Sequence, residues 1–154
     1  MSSVDAEAIK AEIKTLLSHA GYGEELESID IHQGATSRFS VRLKGEANIL
    51  IGEHGNNLAD LEYILKLIVR KKYNEDFKFA LDINEYRMKR LEDLKQDVKA
   101  AAKEVRLYKK EVPLRPMSAF ERRIVHLLLA EYPDITTESI GQEPQRRVVI
   151  KPYP

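Results

Sequence analysis

Apolar residues along the chain follow two kinds of spacing, and the switching between them predicts the elements. Val4, Ala8, Ile9, Ile13, Leu16, Leu17 and Ala20 recur as one helix face would, and Gly21 follows as a stop. Ile29 and Ile31 alternate with Asp30 and His32, and Phe39, Val41 and Leu43 with Ser40, Arg42 and Lys44, which predicts two strands with Gly34 between them. The apolar run from Ala47 to Ile51 predicts a short helix, and Leu58, Leu61, Leu65 and Ile68 predict a longer amphipathic one. Phe77, Phe79, Leu81 and Ile83 alternate with Lys78, Ala80 and Asp82, the cleanest strand signal in the chain.

Asn84 is placed to cap a long helix whose core stripe is Leu91, Leu94, Val98, Ala101 or Ala102, and Val105. Lys95, Lys99 and Lys103 repeat on a different face of it, which reads as a basic ridge or a solvated face. Residues 112–116 predict an edge strand, because Pro113 and Pro116 lack the amide that a central strand donates. Ser118 and Glu121 have the spacing of a capping box, and Phe120, Ile124, Leu127 and Leu128 are expected to form the buried face of the helix it opens. Pro133-Asp134 stops that helix, and residues 135–140 and 146–151 predict strands around a turn at 141–144. The fold class is therefore α+β. An αββααβ half over residues 1–84 is joined through the long helix to an αβαββ half over residues 85–154.

Composition narrows the chemistry. At 154 residues and 43% apolar content the chain can bury one or two small cores. It has no cysteine, which removes disulfides and thiolate metal sites and points to a reducing, cytoplasmic address. His19, His32, His54 and His126 have no metal-ligand spacing, so neither a metal nor a cofactor is expected. No apolar run is long enough to insert in a membrane. Zero net charge argues at first against a nucleic-acid partner, but the halves differ: residues 1–84 carry 10 Lys or Arg against 14 Asp or Glu, and residues 85–154 carry 15 against 11, giving −4 and +4.

Two motifs carry candidate chemistry. Gly52 and Gly55, flanking Glu53 and His54 between two helices, let the backbone turn sharply and approach a sugar-phosphate strand, although the same spacing serves an ordinary helix-to-helix turn. Arg122 and His126 are four apart and so neighbours on one helix face, ~5–6 Å between Cβ atoms. They are read as pointing away from Phe120, Ile124 and Leu127, with a forked donor for phosphate and an imidazole for a base or sugar. The bland alternative is a solvated or structural pair. Tyr63, Tyr86 and Tyr108 are read as packing or linker residues.

The segment Leu50-Ile51-Gly52-Glu53-His54-Gly55, with Leu58 and Leu61-Glu62-Tyr63, resembles the type II KH segment of the bacterial Jag family, and αββααβ is the type II KH order. The run from Leu114-Arg115-Pro116 to Val125-His126, with Thr137-Glu138-Ser139 and Glu143-Pro144-Gln145-Arg146-Arg147-Val148-Val149-Ile150, resembles that family's second module, the Arg-x-x-x-His or R-three-H module. The resemblance implies a non-enzymatic binder of single-stranded RNA or DNA, of the post-transcriptional regulator or RNA-chaperone kind, with a second KH protein or self-association as a further partner. It nominates Gly52, Glu53, His54, Gly55, Arg122 and His126. Arg115, Arg146, Arg147 and Lys151 are added because their charges are expected to converge on the same face, the alternative being that Arg146 or Arg147 pairs with Glu143 or Glu121. Glu53 departs from the family, whose loops place basic residues between the glycines, and a carboxylate there opposes phosphate. Jag proteins often carry an extra N-terminal domain, whereas this sequence opens directly at the KH helix. Two other readings are an interaction adaptor docking a partner through the acidic half, favoured by Glu53, and a phosphoesterase using His126 as base. The phosphoesterase lacks the paired carboxylates or second histidine that such chemistry needs.

Overall fold

The structure is a computed structural model describing residues 5–154; Val4, counted above in the first helix stripe, lies outside the described residues. The chain forms two compact units, Met1–Arg87 and Met88–Pro154. Each has its own apolar core.

In the first unit the order is α1 (Ala6–His19), β1 (Leu26–His32), β2 (Ser37–Leu43), α2 (Asn48–Ile51), a 3-10 turn (Glu53–Gly55), α3 (Asn56–Tyr73) and β3 (Phe79–Ile83). Asp5 caps α1 by accepting from the Ala8 amide at 2.8 Å, and α1 buries Ile9, Ile13 and Leu17. β2 lies centrally in the sheet, antiparallel to β1 and parallel to β3. Alternation sends Phe39, Val41 and Leu43 with Phe79, Leu81 and Ile83 into the core, where the two phenylalanine rings meet edge to face at 5.7 Å.

Asp82 departs from that alternation. The pattern puts it on the polar face, yet it is 1% exposed, with Oδ1 accepting from the amides of Ile83 at 2.9 Å and Arg87 at 3.0 Å. Burial of this carboxylate is tolerable because backbone donors satisfy it. It, and not Asn84, serves the start of the next helix; Asn84 turns back with φ 50° and accepts from the Leu43 amide at 2.8 Å. β3 also begins two residues later than the alternation from Phe77 predicts.

The next helix, α4 (Tyr86–Tyr108), is followed by β4 (Val112–Pro113), α5 (Ala119–Leu129), β5 (Ile135–Ile140) and β6 (Arg147–Pro152). Leu94, Val98, Ala101, Ala102 and Val105 are buried as the stripe predicts, while Leu91 is exposed. β4 is an edge strand of two residues, beside β6 in the order β4-β6-β5. Pro116 lies beyond it, so the strand is shorter than the 112–116 expected.

The largest correction concerns α5. Its capping box is present, with Ser118 Oγ accepting from the Glu121 amide at 3.2 Å and Glu121 Oε2 from the Ser118 amide at 3.1 Å. The remaining Glu121 oxygen, Oε1, accepts from Arg90 Nε at 2.9 Å, which turns this side of α5 toward α4. The buried face is Glu121, Arg122, Val125 and Leu129. Phe120 and Leu127, expected inside, are 70% and 64% exposed, and Ile124 and Leu128 are half-buried. Two apolar stripes of helical period run along this helix, and periodicity alone cannot choose between them. Partner-satisfied polar residues decide it.

Candidate nucleic-acid interface

The glycine loop is shaped by packing. Gly52 has φ 73°, and a Cβ there would sit 2.5 Å from Asn57 Cγ; Asn57 Nδ2 donates to the Ile49 carbonyl at 2.7 Å. Gly55 has φ 76° and is buried, and a Cβ on it would lie 2.8 Å from Tyr86 Cε1. Both glycines therefore have a structural reason to be glycine before any ligand is considered. Between them Glu53 is 75% exposed on its side chain, and its Oε1 lies 3.7 Å from His54 Nε2. The outward charge of the loop is negative.

In the second unit Arg122 and His126 do share one side of α5, but that side faces the sheet. Arg122 is 9% exposed; Nη1 donates to the Met117 carbonyl at 2.7 Å and Nη2 pairs with Glu143 Oε1 at 2.7 Å. This corrects the expectation that Arg122 is free to meet a ligand. The guanidinium fork braces the strand-to-helix turn at Met117 against the turn between β5 and β6. His126 is half-buried, with Nδ1 2.6 Å from Thr137 Oγ1 on β5. When Thr137 donates its hydroxyl proton, the imidazole proton resides on Nε2, leaving a donor for an incoming oxygen.

The added basic residues separate into different environments. Arg146 joins the Arg122 and His126 side: Nε donates to Ser139 Oγ at 3.0 Å and Nη1 to the Gly141 carbonyl at 3.1 Å. Ser139 and Thr137 alternate onto the same face of β5. Arg147 pairs in register with Ile140 and Lys151 with Thr136, which places both on the opposite face of the hairpin. Lys151 is also held by Glu138, which raises its pKa, and Arg115 Nη2 is ion-paired with Asp97 at 2.5 Å. The expected convergence thus applies to Arg146 alone. Among the described residues Glu143 and Glu121 pair instead with Arg122 and Arg90, so neither Arg146 nor Arg147 makes the alternative pairing.

Which cations remain uncompensated decides where an anion can be met. Arg90, Arg106, Arg115, Arg122 and Lys151 each have a carboxylate partner. Among the described residues Arg146 and Arg147 bond only neutral acceptors and Arg123 meets no carboxylate. Arg123 stands three residues from Phe120 and four from Leu127, so the three form one exposed strip beside His126. The sequence reading missed this strip because it assigned Phe120 and Leu127 to the core. The available signal was the capping box, which ties Glu121 inward and leaves residue 120 outside. Of the tyrosines read as packing or linker residues, Tyr63 and Tyr108 are exposed, while Tyr86 packs on the first core.

Residues 89–152 match the family model of the R-three-H domain. The second unit carries an R-three-H domain. The domain spans most of α4 and all of α5 and the sheet β4-β6-β5, so it contains Arg115, Arg122, Arg123, His126, Arg146, Arg147 and Lys151. The resemblance to the Jag family is borne out by relatives named RNA-binding protein KhpB. That of Clostridium symbiosum is 39% identical over 112 residues, covering 72% of this chain and 50% of that protein. That of Lactiplantibacillus plantarum is 34% identical over 116 residues, 75% of this chain and 35% of that protein. That of Bacillus subtilis is 35% identical over 107 residues, 68% of this chain and 51% of that protein. The chain thus spans about half or less of the length of these relatives. Among the described residues, no helix is long and apolar enough to cross a membrane.

Proposed function

We propose that the chain binds single-stranded nucleic acid, RNA foremost, in the cytosol and without catalysing a reaction on it. The observation that carries the proposal is the exposed strip of α5, where Phe120, Arg123 and Leu127 stand clear of the core beside His126 and Arg146. An exposed aromatic ring offers a stacking surface to any base, and an uncompensated guanidinium beside it meets the backbone phosphate. Arg122 acts as a positioning residue that fixes the turn carrying Arg146, and His126 supplies one directed donor. The relatives named RNA-binding proteins support RNA as the ligand.

In this reading the αββααβ unit is a type II KH module whose glycine loop contributes weakly, because Glu53 faces solvent where a phosphate would approach. The test is fluorescence anisotropy with a mixed-sequence RNA strand on Phe120→Ala and Arg123→Gln. Phe120→Ala is expected to weaken binding by ~1–3 kcal/mol, and Arg123→Gln to reduce the slope of log K against log salt by ~0.7. Wild-type affinity and slope in both variants would move the site elsewhere.

A further inference from the structure

Beyond α5, the second unit has a furrow that the site above does not use. It consists of two contiguous grooves of about 330 and 310 Å3, sharing Lys99, Ala102 and Tyr132. The floor is apolar, formed by Ala102, Leu128 and Tyr132. The rim is the lysine ridge of α4: Lys95 and Lys99 line one groove, Lys99 and Lys103 the other.

Three properties identify what the furrow fits. First, Lys95, Lys99 and Lys103 are exposed, and among the described residues none of them has a carboxylate partner. This contrasts with Arg106 in the same groove, whose charge is answered by Asp134 at 2.8 Å. Glu92 is the acidic residue on the rim, at the Lys95 end. Second, the three lysines are four residues apart, which spaces them ~6 Å along the helix axis. That repeat suits successive phosphates of an extended single strand, a match that an acidic peptide with carboxylates on flexible stems does not require. Third, the floor presents an aromatic ring: Tyr132 is half-buried, with the Arg106 guanidinium 4.5 Å from its centroid, and such a ring stacked with a cation is a platform for a base.

The furrow is also continuous with the α5 strip. At about 100° per residue, His126, Arg123, Phe120, Ile124 and Leu128 follow one another around the outer side of α5. His126 begins that arc at the sheet, and Leu128 ends it in the furrow.

We infer that the furrow between α4 and α5 is a second segment of a single-stranded nucleic-acid path, in which Lys95, Lys99 and Lys103 hold successive phosphates and Tyr132 carries a base. The inference rests on the reading that this protein's ligand is a single strand, and it adds a site and a direction to that reading. The strand passes from the sheet side of α5, over Phe120 and Arg123, into the furrow.

The experiment measures anisotropy of a labelled RNA of about 15 nucleotides, within the span that single-strand sites occupy, against the full chain across a salt series. The variants are Lys95→Gln with Lys99→Gln and Lys103→Gln, and separately Phe120→Ala with Arg123→Gln. The triple variant is expected to lose affinity and to lower the salt slope by about 2, three phosphates at ~0.7 each. Crosslinking of a photoreactive RNA is expected to label Tyr132. Wild-type affinity and slope in the triple variant, with loss in the α5 variant, overturn the furrow and leave the α5 site standing. Loss in the triple variant alone supports the furrow and removes the α5 site. Failure of the wild type to bind overturns both. A polyglutamate of equal charge that binds as tightly as the RNA, and is lost equally in the triple variant, overturns the furrow as a nucleic-acid path. A melting curve checks the fold of each variant, and if the triple variant is unfolded, Lys99→Gln alone is read for a slope change of ~0.7.

Discussion

Arg122 and Arg123 are adjacent in sequence and opposite in physical role. Arg122 lies beneath the turn it braces, bonded to the Met117 carbonyl and Glu143, whereas Arg123 stands in solvent and meets no carboxylate among the described residues. Truncating Arg122 to alanine leaves a carbonyl and a carboxylate without their shared donor, and is expected to destabilise the second unit by ~1.5–3 kcal/mol in chemical denaturation. Arg123→Gln is expected to leave that transition in place. Equal midpoints for wild type and Arg122→Ala would show that the bracing is dispensable. At the glycine loop, Gly55→Ala is expected to cost ~1–2 kcal/mol from the left-handed backbone alone, with a further contribution from the approach to Tyr86. Urea unfolding of the variant, unchanged from wild type, would refute the strain. The Arg-x-x-x-His spacing was legible in the sequence, but the direction of its side chains was not. Spacing fixes which residues share a face, and only the tertiary partners fix what that face meets.

Elements with a single apolar stripe were legible to within a residue or two: α1, β2 and the buried stripe of α4 all follow their spacing. α5 was legible in its start and extent and misread in its rotation, because Phe120 and Leu127 mimic a core stripe while Glu121, paired with Arg90, and Arg122 occupy part of the true one. Asp82 is a parallel case, a carboxylate on the polar face of β3 that is nonetheless buried and becomes intelligible once the Arg87 amide is seen donating to it. The ion pairs between elements titrate in a defined direction. Arg106 donates to Asp134 and holds that carboxyl below its ordinary range, linking α4 to the segment before β5. A carboxylate depressed in the folded state adds stability above the unfolded pKa, ~3.9 for Asp, and loses it as the pH falls through the lower folded value. Asp134→Asn is therefore expected to melt below wild type at neutral pH, with the gap closing in acid. A gap that persists at all pH values would assign the loss to packing. The effect is small, since both partners are solvent-exposed.

At the scale of the molecule, zero net charge conceals a −4 half and a +4 half, and internal pairing concentrates the usable positive charge further. Five of the second unit's cations are neutralised by carboxylates; among the described residues, those without a carboxylate partner include Arg123 on the α5 strip, Arg146 and Arg147 at the β5–β6 turn, and Lys95, Lys99 and Lys103 on the α4 ridge. Reversing the charge at Glu53 asks whether the first unit touches the same ligand. Glu53→Lys is expected to raise affinity and steepen the salt slope by ~0.7; a slope identical to wild type would place the glycine loop off the strand.

The ring of Tyr86 beneath Gly55 has a consequence for that loop in energetic terms. Both glycines of the loop have positive φ and leave no room for a Cβ, Gly55 against Tyr86 and Gly52 against Asn57, so packing narrows the conformations open to the loop. An incoming chain would meet a partly set template, so less entropy of arranging the loop subtracts from affinity. Whatever weakness this loop has toward an anion then resides in one outward carboxylate, a feature a single substitution can reverse, and not in the architecture that holds it.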